Sequence, residues 1–326
     1  MDEALSKCHK LKTKNITYSQ LYQSLSIEYP DISRYVNVST RINQCGNFLL
    51  FQKNVDTQQR RLYMANFCKT RFCPFCSHRK SEKTFVLLSE TLKLAKTRHN
   101  GLKLLFVTLT VKNAFCTVED LKKQIMRLLG GYRTFINKYL TRYCPAYLGS
   151  FRNLELTINE TDNSIHPHIH CLIAVDSSYF APNSKSYITK ERLTEIWSKC
   201  IHEDLAINDI RALKGDETKS MLELSKYTVK DEDILNFDSF EDSAALLNVL
   251  DRALLGVRAT AYTGLLRTCY REVKNSDPDP ESDLFPELRT IYELFRWYGQ
   301  EYRLERSGGQ ELIQSLIPTF SDILAD

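Results

Sequence analysis

Apolar and polar side chains alternate along three segments in the middle of the chain. In residues 104–111 the alternate positions from Leu105 to Val111 are apolar, while Thr108 and Thr110 occupy the other face. Residues 151–158 alternate in the same way. After a polar stretch, residues 166–170 also alternate and lead directly into an apolar run at 171–175. Successive side chains of a strand point to opposite faces. We therefore predict three strands, the last two joined as an antiparallel hairpin.

Helical spacing of apolar residues is found before, between and after these strands. Thr117 is the predicted N-cap of a helix that starts with two acidic residues and continues to Tyr139. Residues 190–200 and 221–230 are shorter predicted helices, and most of the chain beyond 237 also has a helical pattern. A proline-containing acidic break interrupts it at 275–283. Residues 1–40 are weakly patterned and are interpreted as an arm or short helices.

The third predicted strand contains three histidines in alternate positions. His166, His168 and His170 therefore share one face, and Cys171, Ile173 and Val175 belong to the opposite, apolar face. In the predicted hairpin Glu155 shares the histidine face. Two imidazoles and one carboxylate suit Mn²⁺ or Mg²⁺ acting on a phosphate. We predict His168, His170 and Glu155 as ligands, with His166 as a fourth ligand or a substrate contact; the alternative is a row of surface or structural histidines.

A second candidate group lies in the predicted helix at 221–230. Residues four apart share a helical face, so Glu223 and Tyr227 are expected to point the same way, with Lys226 and Lys230 on a neighbouring face. A tyrosine hydroxyl has a pKa near 10 and attacks phosphorus readily only when cations stabilise its charge. Such a helix is also common without any catalytic role.

Four cysteines occur at metal-ligand spacing near the N-terminus. Cys73 and Cys76 form a tight pair, with Cys68 and Cys45 upstream. This spacing predicts a tetrahedral structural zinc site, and the alternative is a set of separately buried thiols. Basic and aromatic residues alternate around the cysteines, as in nucleic-acid-binding modules. Lys69 and Arg71 are therefore predicted DNA contacts.

Charge is distributed unevenly between the two halves of the 326-residue chain. Residues 1–150 contain 25 Lys and Arg against 9 Asp and Glu, whereas residues 151–326 contain 19 against 31. An imbalance of this size favours contact with a polyanion such as DNA, although a solvated basic face is the usual alternative. We find no apolar run of membrane-spanning length and no signal-peptide pattern, so we expect a cytoplasmic protein.

Several motifs, taken in order, resemble one protein family. They are Cys45-Gly-Asn-Phe, Asn66-Phe-Cys-Lys through Cys73-Pro-Phe-Cys76, Phe106-Val-Thr-Leu-Thr-Val-Lys-Asn113, His166-Pro-His-Ile-His170, Glu223-x2-Lys-Tyr-x2-Lys-Asp231, Ala253-Leu-Leu-Gly-Val-Arg258 and Thr263-Gly-Leu-Leu266. Together they resemble the replication initiators (Rep proteins) of rolling-circle plasmids, within the HUH endonuclease superfamily. The likeness covers roughly residues 41–270.

The resemblance implies an activity and a set of roles. His168 and His170 would bind the metal, and Tyr227 would be the nucleophile that becomes linked to a 5′ phosphate. The released 3′-OH would prime a host polymerase. Glu223 would activate water to end the cycle, because it stands where multi-tyrosine relatives have another tyrosine.

The expected fold is α/β (α+β), with an antiparallel-sheet nicking domain. We predict an arm at 1–40, a basic zinc-binding module at 41–100, the nicking domain at 101–236 and a mainly helical region at 237–326. The expected partners are single-stranded or extruded origin DNA, a host helicase, because the sequence has no G-x-x-x-x-G-K-[ST] motif, and a host polymerase; a homodimer is left open. Candidate DNA-binding residues besides Lys69 and Arg71 are Thr108, Thr110, Lys112 and Lys226, and Lys230 is a candidate catalytic residue.

Three alternatives remain open at this point. A relaxase or a single-tyrosine transposase would use the same histidine pair and tyrosine, although relaxases typically have their tyrosine before the histidines. A zinc-dependent DNA-binding regulator without catalysis would explain the cysteine module, but not the histidine row.

Overall fold

The computed structural model describes residues 3–159, 161–203, 208–213, 215, 217–236, 239–276 and 290–316. Its contacts divide the chain into two compact units. The first takes in the described residues of Met1–Lys80 and Asp279–Asp326, and the second those of Ser81–Pro278. We find no helix in the described residues that combines the length and hydropathy of a membrane span.

The α-helices and strands with described bounds are as follows, in chain order; a π-helix (Phe135–Leu140) and a 3₁₀-helix (Ser177–Phe180) are present as well. The helices are α1 (Glu3–Glu28), α2 (Arg34–Gln44), α3 (Pro74–Arg98), α4 (Val118–Thr134), α5 (Thr141–Tyr143), α6 (Lys190–Ile201), α7 (Thr218–Ser225), α8 (Asp231–Leu235), α9 (Phe240–Ala253) and α10 (Gly264–Asn275). The strands are β1 (Phe48–Asn54), β2 (Arg60–Ala65), β3 (Lys103–Thr110), β4 (Tyr147–Ile158), β5 (Ile165–Val175), β6 (Asn208–Ala212), β7 (Thr260–Thr263), β8 (Thr290–Trp297) and β9 (Tyr302–Gly308).

The second unit is built around an antiparallel sheet. Its strand order is β6-β3-β5-β4-β7, so the three strands predicted from alternation are the three central ones. On one face, α3, α7 and α10 cover the sheet through a core that includes Leu92, Phe106, Leu172, Leu224 and Leu266. Strand β5 is buried on both faces over most of its length, and its histidines occupy the N-terminal part of the face that carries Leu172.

Helix α4 begins where the sequence predicts. The Thr117 hydroxyl accepts a hydrogen bond from the Asp120 amide at 3.3 Å, as an N-cap does. The helix continues through Gly131, where an added Cβ would lie 2.6 Å from a methyl carbon of Ile201. Glycine at this position allows α4 and α6 to pack closely, and α6 itself is the helix predicted at 190–200.

The first unit contains a second antiparallel sheet, of order β2-β1-β8-β9. Helix α1 belongs to this unit and buries Tyr18, Leu21, Tyr22 and Leu25. The predicted arm at 1–40 is thus largely helix in the structure. Its pattern is weak because α1 also buries Lys12, Asn15 and Ser19, which form hydrogen bonds instead of apolar contacts.

The fold class predicted from the sequence is confirmed: helices combine with antiparallel sheets. The boundaries of the two units, however, do not coincide with the predicted boundaries at residues 40, 100 and 236. The reason is that β8 pairs with β1, although most of the chain lies between these two strands in the sequence. Residues 237–326 contain α9 and α10 as predicted, but also β7, β8 and β9. Most of the acidic break predicted at 275–283 lies outside the described residues.

Candidate functional site

The β4–β5 hairpin brings the predicted metal ligands together. Glu155 is directly opposite His168 in the register of the two strands, and Asn153 is opposite His170. On the other side of β5, Thr110 is opposite His168 and Thr108 is opposite His170. Because directly opposite residues in antiparallel strands share a face, these side chains form one polar cluster on the sheet.

Three of these side chains converge closely enough to share an ion. Glu155 Oε2 lies 3.3 Å from His168 Nε2 and 3.1 Å from His170 Nε2. One donor atom from each residue falls within 4.8 Å of the others. Two imidazole nitrogens and a carboxylate oxygen fit a divalent cation that retains open coordination positions. The side chains are nearly buried, which limits competition from water.

Hydrogen bonds on the far side of each imidazole orient it towards Glu155. The Thr108 hydroxyl lies 3.1 Å from Nδ1 of His170, and the carbonyl of His166 lies 3.3 Å from Nδ1 of His168. Such partners fix the ring of a metal-binding histidine. Burial opposes ionisation of Glu155, but hydrogen bonds from His168 and His170 outweigh it and hold the pKa of this carboxyl well below its usual value.

His166 has a different environment from the other two histidines. Its Nδ1 lies 2.7 Å from the side-chain oxygen of Asn113, and it is not among the three converging donors. Burial, followed by the charge of His168, lowers the pKa of His166. The side chain of His166 is thus held at the edge of the cluster by a residue that the sequence interpretation did not select.

Glu223 reaches the same cluster from α7. Its Oε1 lies 3.6 Å from His170 Nε2, and its Oε2 pairs with Lys226 Nζ at 2.5 Å. Leu224, the next residue, is fully buried in the core beneath the sheet, which fixes this end of α7. A second carboxylate therefore borders the three-donor group without belonging to it.

The predicted helix at 221–230 is wrong in its extent. Helix α7 ends at Ser225, whose carbonyl accepts a hydrogen bond from the Ser81 hydroxyl at 2.5 Å, and Lys226 is extended. The Lys226 carbonyl accepts from Asn153 Nδ2 at 2.9 Å, and the Thr228 carbonyl from the Leu156 amide at 2.7 Å. Contacts with β4 thus replace the helical hydrogen bonds.

Tyr227 lies between these two anchoring carbonyls, so its backbone runs beside β4 next to Glu155. It does not share a helical face with Glu223, as the four-residue spacing suggested. Burial, and then the negative charges of Asp231 and Glu82, raise the pKa of the Tyr227 hydroxyl. Formation of a phenolate here requires compensating positive charge. Lys230, which immediately precedes α8, is exposed.

The four predicted zinc ligands also converge, in the first unit. Cys45, Cys68, Cys73 and Cys76 each offer a sulfur within 4.8 Å of the others. Cys76 Sγ lies 3.7 Å from both Cys45 Sγ and Cys68 Sγ. It also accepts a hydrogen bond from the Lys69 amide at 3.2 Å, and Lys69 has a φ of +58° that turns the chain. Four clustered thiols are a donor set suited to zinc.

Two buried polar residues of α1 support this cysteine group, and the sequence interpretation missed both. Lys12 Nζ donates to the carbonyl of Cys45 at 3.0 Å, and Asn15 Nδ2 donates to the same carbonyl at 3.2 Å. Asn15 Oδ1 accepts from the Phe75 amide at 3.3 Å. Burial lowers the pKa of Lys12 to about 8, although the nearby cysteines act in the opposite direction. The feature of the sequence that could have identified these two residues is the polar stretch around them, which the structure shows to be part of the long helix α1.

The predicted DNA contacts differ in accessibility. Lys69, Arg71 and Lys112 are exposed, and Lys226 is exposed while paired with Glu223. Thr110 is buried, and Thr108 is bonded to His170. The two threonines thus line the histidine cluster itself.

Comparison with known proteins gives a consistent result. The model of the Rep_1 replication protein family matches residues 59–296. A Protein rep of Bacillus sp. is 33% identical over 264 residues, covering 75% of this chain and 83% of the relative. One of Bacillus amyloliquefaciens is 32% identical over 264 residues (75% and 76%). One of Lactiplantibacillus plantarum is 34% identical over 247 residues (72% and 75%). No solved structure matches.

The family match includes all of β3, β4 and β5, together with α7 and the residues after it. It therefore contains the three-donor cluster, Glu223 and Tyr227. On this evidence, the chain belongs to the Rep_1 family of replication proteins, the Rep initiators of plasmid replication.

Proposed function

We propose that this protein starts rolling-circle replication of a plasmid by nicking one strand of the origin through metal-dependent tyrosine transesterification. The observation that carries the proposal is the convergence of Glu155, His168 and His170 beside the main chain of Tyr227. These three residues would hold Mn²⁺ or Mg²⁺, which supplies Lewis-acid polarisation of a phosphate oxygen. His166 is not among the converging donors, and it is proposed as a substrate contact at the edge of the cluster.

Tyr227 is the proposed nucleophile. Its hydroxyl oxygen forms a bond to the scissile phosphorus, and the bond between phosphorus and the 3′ oxygen breaks. The hydroxyl loses its proton, and the leaving 3′ oxygen gains one. The products are a 5′-phosphotyrosine link and a free 3′-OH that primes a host polymerase. Lys230 is proposed to offset the negative charge that develops on the tyrosine oxygen.

Glu223 is proposed to end the replication cycle by taking a proton from water that attacks the second phosphodiester. Two observations support a role separate from that of Tyr227. The Glu223 carboxylate lies beside His170, while Tyr227 follows on an extended segment. A carboxylate at the edge of the ligand group can accept a proton without forming a stable covalent link.

The four-cysteine group is proposed to hold structural zinc, with Lys69 and Arg71 contacting origin DNA from the same segment. Lys112 and Lys226 are the proposed DNA contacts near the histidine cluster, which Thr108 and Thr110 line. Zinc contributes directly to folding, so Cys73→Ser should destabilise the first unit. Absence of zinc on elemental analysis of protein purified without chelator would exclude this role.

We propose that the protein acts in the cytoplasm, where plasmid DNA is found, together with a host helicase and polymerase. A homodimer is compatible with this proposal. A regulator without catalysis is the competing class, and the converging carboxylate and histidines argue against it. A relaxase or transposase is less compatible, because Tyr227 follows the histidines and the family match is to replication proteins.

Labelled single-stranded origin DNA with Mn²⁺ provides the test. Wild-type protein should give a covalent adduct on a denaturing gel. Tyr227→Phe should lose both the adduct and the nick. Glu223→Ala should still nick and attach in this assay, but during replication of the plasmid it should accumulate products longer than one plasmid unit. If Glu223→Ala loses the first nick as completely as Tyr227→Phe, the termination role is wrong, and Glu223 is a base for the tyrosine or part of the metal site.

A further inference from the structure

Phe115 is an exposed aromatic residue between β3 and α4. Its exposed fraction is 77%, although Val111 and Ala114, just before it, are buried. A large apolar ring that faces water gains free energy when a partner covers it. The ring does not pack into the core of the sheet, so we expect its role to be something other than stabilising the second unit.

Hydrogen bonds hold the backbone around Phe115 in place. Ala114 and Ile165 exchange two main-chain hydrogen bonds, of 2.7 and 2.9 Å. The Phe115 amide donates to Asp120 Oδ2 at 2.9 Å, and its carbonyl accepts from the Thr117 amide at 2.7 Å. The ring is therefore displayed from a fixed loop, which reduces the entropy lost when it binds a partner.

The loop is next to the metal-ligand strand. Ile165, the partner of Ala114, is three residues before His168, which is about 10 Å along an extended strand. Asn113, two residues before Phe115, is bonded to His166. The ring is thus anchored at the end of β5 where the histidine row begins.

Exposed lysines outnumber the acidic residues in the loop and the first turns of α4, where Glu119 and Asp120 are the two acids. Lys112 in the loop and Lys122 and Lys123 in the first turns of α4 are exposed. The nearby Asp120 carboxylate is already engaged by the Phe115 amide. Sites for single-stranded nucleic acid combine cations that follow the backbone with aromatic rings on which bases stack. This combination favours a nucleic acid over a second copy of the chain as the occupant.

We propose that Phe115 is a nucleobase-stacking site that holds one unpaired base of the single-stranded substrate beside the Glu155–His168–His170 cluster. The inference rests on the proposed function for its substrate, but stacking requires neither the metal nor Tyr227. Phe115 is a positioning residue, because it contacts a base and not the reacting phosphate.

Binding measured without added Mn²⁺ or Mg²⁺, and without chelator, separates this site from the chemistry and leaves the proposed zinc of the four-cysteine group in place. The probe is a fluorescein-labelled single-stranded oligonucleotide of mixed sequence and roughly 20 nucleotides, longer than the 4–16 nucleotides that one binding fold commonly covers. Phe115→Ala should weaken binding roughly 5- to 150-fold, the range expected for one stacked base. Phe115→Leu should weaken it comparably, and Phe115→Trp should retain it. Met126→Ala, which removes another exposed apolar side chain (56%) from α4, should bind as wild type does.

Tryptophan fluorescence gives a direct readout of stacking. The wild type contains two tryptophans: Trp197 is fully buried, and Trp297 of the first unit is half-buried. In Phe115→Trp the added indole should therefore give quenching by the oligonucleotide beyond the change that the wild type shows. Unchanged affinity of Phe115→Ala, or an added indole in Phe115→Trp that the oligonucleotide does not quench, would overturn the proposal. So would a wild-type dimer that Phe115→Ala converts to a monomer, since the ring would then bind a second copy. If the wild type binds through Phe115 but never nicks, the nicking function fails and the stacking site stands.

Discussion

At the residue scale, the site depends on the two-residue period of a strand. The sequence interpretation placed Glu155, His168 and His170 on one face, and the structure brings their donor atoms together. It could not place His166, because alternation gives the face of a side chain but not its partner. The hydrogen bond to Asn113 depends on how the chain turns after β3.

This difference among the histidines leads to a prediction about metal affinity. Removing a residue that only hydrogen-bonds to a metal ligand lowers metal affinity by roughly 10- to 100-fold. Glu155 is a predicted ligand itself, so Glu155→Ala should weaken Mn²⁺ binding by roughly 100-fold or more. His166→Ala should leave it near the wild-type value, because His166 is bonded to Asn113 instead. Isothermal titration with Mn²⁺ measures both. Equal losses in the two variants would make His166 a ligand and contradict the three-donor site.

At the element scale, some helices could be predicted and others could not. Helix α4 was predicted from an N-cap and an apolar face, which are local signals. The end of α7 was missed because hydrogen bonds from Asn153 and Leu156 of β4 take the place of the next helical turn. Residues 1–40 were interpreted only as an arm or short helices, because the buried Lys12 and Asn15 of α1 look like surface residues in a hydropathy pattern.

The end of α7 also gives a prediction about catalysis. Asn153 Nδ2 holds the Lys226 carbonyl, and Tyr227 is the next residue. Asn153→Ala should release this segment and lower the nicking rate roughly 10- to 100-fold, as expected for a displacement of about 1 Å in a reacting group. Mn²⁺ affinity should change little, because Asn153 is not one of the three donors. A nicking rate equal to wild type would show that this hydrogen bond does not position Tyr227.

At the scale of the whole molecule, the first unit depends on pairing between distant parts of the chain. Strand β8 lies between β1 and β9, so the ends of the chain build one sheet. A local pattern of residues can indicate a strand, but it does not indicate which other strand pairs with it. The sequence interpretation therefore divided the chain in order, and did not recognise that residues after 290 complete the fold around the cysteine group.

Glu293 of β8 provides a test of this closure. It is buried, and its carboxylate pairs with Arg60 at 2.5 Å and with Lys53 at 3.2 Å. Both cations are partly exposed, so Glu293→Ala should lower the free energy of unfolding of the first unit by about 1.5–3 kcal/mol, the range for hydrogen bonds to charged groups. Glu301→Ala, which removes an exposed pair with Arg303, should cost about 1 kcal/mol or less. Hydrogen exchange of β1 amides measures the difference within this unit. Equal protection in the two variants would mean that the buried pair does not hold β8 against β1 and β2, and that the sheet is stabilised by its apolar contacts alone.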